Sequence, residues 1–203
     1  MRIEIHPLTP QQRLIDRIKA ILENDGVIVY GTDTTYAFGC CINSKKAMKR
    51  IYRIKHIDRS RPLTFVCNDT KQFQQYTKGV GNRVFRKIKS VMPGPYTFIF
   101  EASKAVPKVM LSPRSTIGIR IPDSPIARMI VASVNAPILS SSVPVPPDSS
   151  IHNPHDIHER YEKLVDCVVD SGEVYIKRSS IIDFSMNPAE IIRDGDADLS
   201  WIE

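Results

Sequence analysis

Short apolar runs alternate with capped, amphipathic segments along most of this chain, and that alternation limits its fold more than any other feature. Leu14, Ile15, Ile18, Ile21 and Leu22 recur at helical spacing and predict one apolar helix face. Thr9, Pro10 and Gln12 mark its start as a capping box, and Gly26 marks a left-handed end. Val27-Ile28-Val29-Tyr30 then reads as a strand. Ser44 caps a second helix with Ala47, Met48, Ile51 and Ile54 inward, and a strand follows at Leu63–Cys67. Asp69 caps a short helix, and Gly81–Val91 forms another, broken by Met92-Pro93-Gly94-Pro95. Tyr96–Phe100 and Thr116–Ile121 are strands, and Ser124-Pro125 starts a helix ending near Asn135. Ile138-Leu139 is a strand leading into Ser140-Ser141-Ser142, and Val143–Ser150 is a loop. Asn153-Pro154 opens a helix through Leu164, and Cys167–Val169, Ile181–Phe184 and Glu190–Arg193 are closing strands. This order predicts an α/β sheet with helical cover, folded as one domain over residues 1–203.

Charge is distributed unevenly over that frame. From Lys45 to Arg61 the chain reads KKAMKRIYRIKHIDRSR, eight Lys/Arg against the single acid Asp58. Residues 45–89 hold 14 Lys/Arg and 2 acids, whereas residues 150–203 hold 5 and 12. A molecule polarised in this way draws anions to one side. No apolar run is long enough to span a bilayer, and the opening MRIEIHPLTP lacks a signal-peptide core, so a cytoplasmic protein without a membrane partner is expected. Cys40, Cys41, Cys67 and Cys167 lack CxxC spacing and read as reduced thiols of the core.

Polar clusters fall where strands end, the place where open α/β sheets bind ligands. Thr32–Thr35 follows the strand at Tyr30, Ser140–Ser142 follows Leu139, and Arg120 closes the strand from Thr116. Hydroxyls converging with an Arg suit a carboxylate or phosphate, which a guanidinium holds through paired charge-assisted bonds. The chain contains no GxxxxGK[ST] loop, no GxGxxG and no GxSxG elbow. His152, His155 and His158 are spaced i, i+3, i+6, which is neither HExxH nor a finger pattern, and no protein-held metal is expected from them.

Seven segments, in order, resemble the YrdC-like threonylcarbamoyl-AMP synthase family over about residues 10–195. Thr32-Asp33-Thr34-Thr35-Tyr36-Ala37-Phe38-Gly39 is similar to the family's PTET-x-YGLG. Lys55 with Pro62-Leu63 resembles K-x-R-P-x-x-x-P-L, and Pro93-Gly94-Pro95-Tyr96-Thr97 resembles PGP-x-T. Ile119-Arg120-Ile121-Pro122 resembles the strand ending in R-x-P, and Ser140-Ser141-Ser142 stands in the place of T-S-A-N. Ser179-Ser180-Ile181-Ile182-Asp183 is similar to S-T-V-V-D, and Arg193-Asp194-Gly195 to a final R-x-G. Ile57 replaces the Arg of K-x-R, Val143-Pro144 replaces Ala-Asn, and Gly31 and Ala37 replace Pro and Gly, which brings the chain towards the YciO-like branch.

The resemblance implies a twisted mixed sheet with a basic concave surface, and a nucleotidyltransferase that condenses L-threonine, bicarbonate and ATP with release of pyrophosphate. Its product feeds N6-threonylcarbamoylation of tRNA through a transferase partner. By motif position, Lys55 and Arg193 would neutralise ATP phosphates bridged by Mg²⁺, and Ser142 would bond the nucleotide. Arg120 would hold the threonine carboxylate, with Thr32, Tyr36 and Ser179 placing the amino acid. The alternative is a YciO-like protein that binds tRNA or double-stranded RNA, with Lys45, Lys46, Lys49, Arg50, Arg53, Arg59 and Arg61 as its surface.

Overall fold

A computed structural model describes residues 1–110, 114–145 and 149–202. Residues 146–148 of the expected loop lie outside the described residues. The helices are α1 (Gln12–Glu23), α2 (Lys45–Lys55), α3 (Thr70–Tyr76), α4 (Asn82–Val91), α5 (Pro125–Ser133) and α6 (Pro154–Tyr161). The main sheet holds β1 (Arg2–Glu4), β2 (Ile28–Gly31), β3 (Tyr36–Cys41), β4 (Thr64–Val66), β5 (Thr77–Lys78), β6 (Tyr96–Ala102), β7 (Thr116–Arg120), β8 (Ile138–Ser142), β10 (Cys167–Asp170), β12 (Ser180–Asp183) and β13 (Glu190–Arg193). A separate pair joins β9 (Ile151–His152) to β11 (Val174–Tyr175).

The strands run β1-β10-β2-β3-β8-β4-β7-β6-β12-β13, with β5 beside β6. The sheet is mixed: β4 pairs with β7 in parallel, whereas β3 with β8 and β8 with β4 are antiparallel. Two apolar layers cover it. α1 and α5 pack Ile18, Leu22, Ile126 and Ile130 against Ile28 and Tyr30 of β2. The opposite layer packs Ile51, Phe73 and Ile88 against Val29, Phe38, Phe65 and Phe98. Neighbouring β2 residues thus enter opposite layers, which is why that strand reads as an unbroken apolar run.

Four of the helix caps form as expected, one of them with Asn153 Oδ1 accepting from His155 N–H at 2.8 Å. The side chains of Ser44, Asp69 and Ser124 accept from the backbone N–H of Ala47, Gln72 and Ala127 at 3.0, 2.7 and 3.3 Å. The start of α1 differs. Gln11 is its N-cap without a side-chain bond, because the Thr9 hydroxyl is held by His6 Nδ1 at 2.9 Å and Gln12 reaches forward to Asp16. Its end also differs. Asp25 takes the left-handed conformation (φ 59°), and Gly26 N–H closes the turn on the Ile21 carbonyl at 2.9 Å. Gly26 is required there by crowding, since a Cβ would lie 2.4 Å from that carbonyl oxygen. The serine triplet lies within β8 rather than beyond it, with Ser140 paired to both Gly39 and Thr64.

The register brings chemistry into one cleft from opposite ends of neighbouring strands. β8 ends at Ser142, level with the Thr32–Thr35 turn that joins β2 to β3, whereas β7 runs antiparallel to β8 and ends at Arg120, level with Val66 and Ile138. Ser180, which opens β12, pairs with Tyr96 at the start of β6, and β6 is antiparallel to β7, so Ser179 arrives at the Arg120 end and meets Ser142 and the turn across the cleft.

Candidate functional site

The Thr32–Thr35 turn is fixed by its own first hydroxyl. Thr32 Oγ1 accepts from the N–H groups of Thr34 and Thr35 at 3.2 Å each and donates to the Thr35 carbonyl at 2.7 Å. This local pattern competes with regular structure and makes a rigid turn. Against it lies Arg120, which donates from Nη1 to Thr34 Oγ1 at 2.8 Å and from Nη2 to Asp33 Oδ1 at 2.6 Å. The two charged side chains are only 11% and 12% exposed. Arg120 Nε and Asp33 Oδ2 are buried and make no hydrogen bond.

Two further cations approach from other elements. Lys55, the last residue of α2, donates from Nζ to Ser141 Oγ and to the Ser142 carbonyl, each at 2.5 Å. Burial lowers its pKa below the ordinary lysine value. Arg193, at the end of β13, donates from Nε and Nη2 to the carbonyl and hydroxyl of Ser179 at 2.8 and 2.6 Å. Its pKa is lowered by burial and by the positive charges of Arg178 and Arg120. Ser140 faces inward, accepting from the Tyr30 hydroxyl at 2.9 Å and donating to the Phe38 carbonyl at 3.1 Å.

These groups enclose a cleft of about 310 Å³ lined by Lys55, Arg120, Arg193, Ser140–Ser142, Ser179, Thr32 and Thr35, and, among the described residues, by no carboxylate. Through Thr35, Ser142, Ser179 and Arg193 it adjoins a wider cleft of about 620 Å³ that also meets Lys177 and Arg178. Three cations meet here and only Arg120 is paired with an acid, Asp33, so the cleft keeps a positive potential suited to an anion.

Most motif-derived residues therefore meet: Lys55, Arg120, Ser142, Ser179, Arg193 and Thr32 line one cleft. Tyr36 lines neither cleft. Its ring is fully buried, and its hydroxyl donates to the Gly172 carbonyl at 2.7 Å and accepts from Ser171 N–H at 3.0 Å, bracing the turn after β10. Ile57 is half-buried and packs against the core, so no cation enters at that position. Arg59 and Arg61 are exposed and line neither cleft.

The outer basic surface is likewise divided. Lys45, Lys46, Lys49 and Arg53 are exposed on α2. Arg50 differs, because its guanidinium ties α2 to Asp166 Oδ2 at 2.6 Å and to the Leu164 carbonyl at 3.0 Å. Asp33, Thr35 and Ser141 belong to the polar clusters of the sequence reading, which gives them no individual role. Reading the serines as strand would have found Ser141, since alternate residues face opposite sides.

Among the described residues, all four cysteines are free, and burial pushes Cys41 and Cys167 up to about 11. The histidines do not converge. His155 and His158 face Glu159 and Glu162 along α6, at 3.8 and 3.4 Å, while His152 turns to Thr35. No helix among the described residues is long and apolar enough to cross a membrane.

The sequence and the fold resemble those of known proteins. Residues 20–195 match the family model Sua5_yciO_yrdC, described as telomere recombination. YciO of Escherichia coli K12 is 39% identical over 197 residues, covering 96% of this chain and 95% of that protein. The E. coli YciO crystal structure superposes with a TM-score of 0.92 at 37% identity, covering 100% of this chain and 99% of the other. A putative threonylcarbamoyl-AMP synthase of Methanocaldococcus jannaschii is 29% identical, covering 95% of this chain and 92% of the relative. Pyrococcus abyssi Sua5 complexed with L-threonine shares the fold, with a TM-score of 0.89 at 23% identity, over 100% of this chain and 59% of that one. Matched by this family model over most of its length, and alike in sequence and fold to YciO, the chain belongs to the Sua5/YciO/YrdC family.

Proposed function

We propose that this protein is a threonylcarbamoyl-AMP synthase-like nucleotidyltransferase acting on L-threonine, bicarbonate and Mg²⁺-bound ATP. The observation that carries this reading is the cleft in which Lys55, Arg120 and Arg193 converge. The M. jannaschii relative, named as a putative synthase, and the L-threonine bound to the P. abyssi protein support the substrate class.

In this reaction the amine of threonine takes up carbon dioxide to give a carbamate and releases a proton. A carbamate oxygen then attacks the α-phosphorus of ATP, and the bond to the leaving pyrophosphate breaks. The protein's task is positioning and charge neutralisation rather than strong acid or base chemistry. Lys55 and Arg193 neutralise the phosphates, and Mg²⁺ arrives with the nucleotide. Ser142 bonds the nucleotide at the junction of the two clefts. Arg120 receives the threonine carboxylate from a position set by Asp33 and Thr34, and Ser179 holds Arg193. The adenylate serves N6-threonylcarbamoylation of tRNA by a transferase partner. Thr32 shapes the turn, and Tyr36 acts from behind the cleft.

Complementation of a strain lacking its own threonylcarbamoyl-AMP synthase tests this reading. Wild type restores growth, whereas Lys55→Ala and Arg120→Ala do not. Failure of the folded wild type to restore growth counts against it.

The exposed cations of α2 favour a second reading, binding of tRNA or duplex RNA through phosphate contacts. Affinity measured across a salt series decides it. A flat dependence of log K on log salt rejects it, because each neutralised phosphate contributes a slope of about −0.9 in a duplex.

A further inference from the structure

We propose that His152 is a positioning residue: it holds the hydroxyl hydrogen of Thr35, so that Thr35 offers the cleft only an acceptor, and that acceptor receives the amino group of the substrate. The proposal rests on the reading of an amino-acid substrate given above.

The hydrogen bonds fix the direction of that hydroxyl. His152 Nδ1 lies 3.3 Å from the backbone N–H of Tyr36 and 2.8 Å from Thr35 Oγ1. A backbone N–H can only donate, so Nδ1 carries its lone pair and the ring proton sits on Nε2. Thr35 Oγ1 must then be the donor in its own contact with Nδ1. A hydroxyl has one hydrogen and two lone pairs, so Thr35 can now only accept from a ligand. Surroundings agree with a neutral ring: His152 is 1% exposed, and burial holds its pKa below the ordinary imidazole value, opposed by the Pro144 backbone.

The other hydroxyls of the turn are already engaged. Thr32 Oγ1 is held by the turn's own backbone, and Thr34 Oγ1 accepts from Arg120. Thr35 alone of the three lines both clefts. The charged groups of the inner cleft, Lys55, Arg120 and Arg193, are donors without acceptors. A ligand satisfying all of these carries an anionic end for the cations and an N–H donor for Thr35. An α-amino acid has both groups on one carbon.

The test uses the full chain with L-threonine and 3-hydroxybutanoate, the analogue in which a hydrogen replaces the amine and no donor remains on that carbon, measured by calorimetry. Long-range ¹H–¹⁵N spectra of His152 accompany it. The expected tautomer carries its proton on Nε2. Thr35→Val weakens L-threonine by about tenfold, the scale of one hydrogen bond to a charged group, and leaves the analogue within about twofold. Thr35→Ser, which keeps the hydroxyl, restores threonine binding. His152→Leu weakens threonine in the same direction, and His152→Asn, whose Oδ1 stands where Nδ1 was, recovers it. Thermal melting verifies that each variant is folded, with the buried Thr35→Val pair as the arm least dependent on the ring. An Nδ1–H tautomer overturns the proposal, as does an equal loss for both probes in Thr35→Val. If wild type binds the analogue as well as threonine, the amino group is not recognised and the proposal fails alone. If wild type binds neither, the amino-acid reading fails and the proposal falls with it.

Discussion

Lys45 and Lys55 are the first and last residues of α2 and carry the same charge, yet their surroundings are opposite. Lys45 stands with Lys46, Lys49 and Arg53 in solvent, where a charge is screened over roughly 8 Å at physiological salt. Lys55 is half-buried at the sheet end, held by Ser141 and the Ser142 carbonyl, facing a cleft it shares with Arg120 and Arg193. The difference teaches that the density of cations in Lys45–Arg61 does not locate the chemistry. One turn of backbone geometry places Lys55 at the strand ends, and the rest of the run coats the outside of a helix whose apolar stripe is buried.

The largest effect expected from the inner group is at Arg120. Arg120→Ala leaves Asp33 nearly buried without its partner, which costs about 3 kcal/mol or more of stability, read from urea unfolding. Arg120→Leu combined with Asp33→Leu recovers most of that stability and none of the activity, separating the structural pair from its catalytic use. A stable but inactive double variant preserves the contrast between inner and outer cations; an active one removes it.

Lys55→Ala comes next. It removes a positioned cation from the phosphate site and lowers the adenylation rate by about 100-fold, the scale seen when one preorganised electrostatic contact is deleted. Burial of Lys55 also gives stability a pH dependence. The folded-state pKa of Lys55 is lowered by burial, so the folded protein carries the full penalty of the charged form below that lowered value. Above it the unfolded chain binds more protons, and stability rises until the ordinary lysine pKa is passed. Lys55→Met therefore lacks the alkaline rise. Denaturant curves between pH 7 and 10.5 check this, and parallel pH profiles for the two proteins would contradict it.

Arg50→Ala separates the outer group further, because this cation bonds Asp166 and the Leu164 carbonyl. A loss of about 1 kcal/mol is expected, with activity intact. The smallest effect belongs to Lys45→Ala, Lys46→Ala and Lys49→Ala combined, which shift stability by no more than about 0.5 kcal/mol. If these residues meet a duplex, the triple variant flattens the salt dependence of RNA affinity while pyrophosphate release stays unchanged.

Much of this frame was legible in the chain because its signals are local. Ser44, Asp69 and Ser124 cap helices through bonds three residues away, which spacing alone predicts. Thr9 misled because His6, a residue outside the pattern, captured its hydroxyl. The cleft was legible as far as motif order reaches: Lys55, Arg120, Ser142, Ser179 and Arg193 meet although they lie up to 138 residues apart. Roles that depend on register were not legible. Ser141, rather than Ser142, offers its hydroxyl to Lys55, because the triplet continues β8 and alternates between faces. Asp33 was hidden because a turn acid more often bonds its own backbone, and only the end of β7 brings it a guanidinium. Tyr36 begins a strand buried on both faces, so its hydroxyl serves the turn at Ser171 and Gly172 instead of the cleft.

The central claim is that the inner cations serve adenylation of a threonine-derived carbamate. Pyrophosphate release from ATP, with threonine and bicarbonate each supplied and withheld, tests it most directly in wild type, Lys55→Ala and the Lys45/Lys46/Lys49 triple alanine variant. The account predicts release that requires both substrates, is lost in Lys55→Ala and is retained in the triple variant. Release that is indifferent to threonine, or equal in wild type and Lys55→Ala, would contradict it.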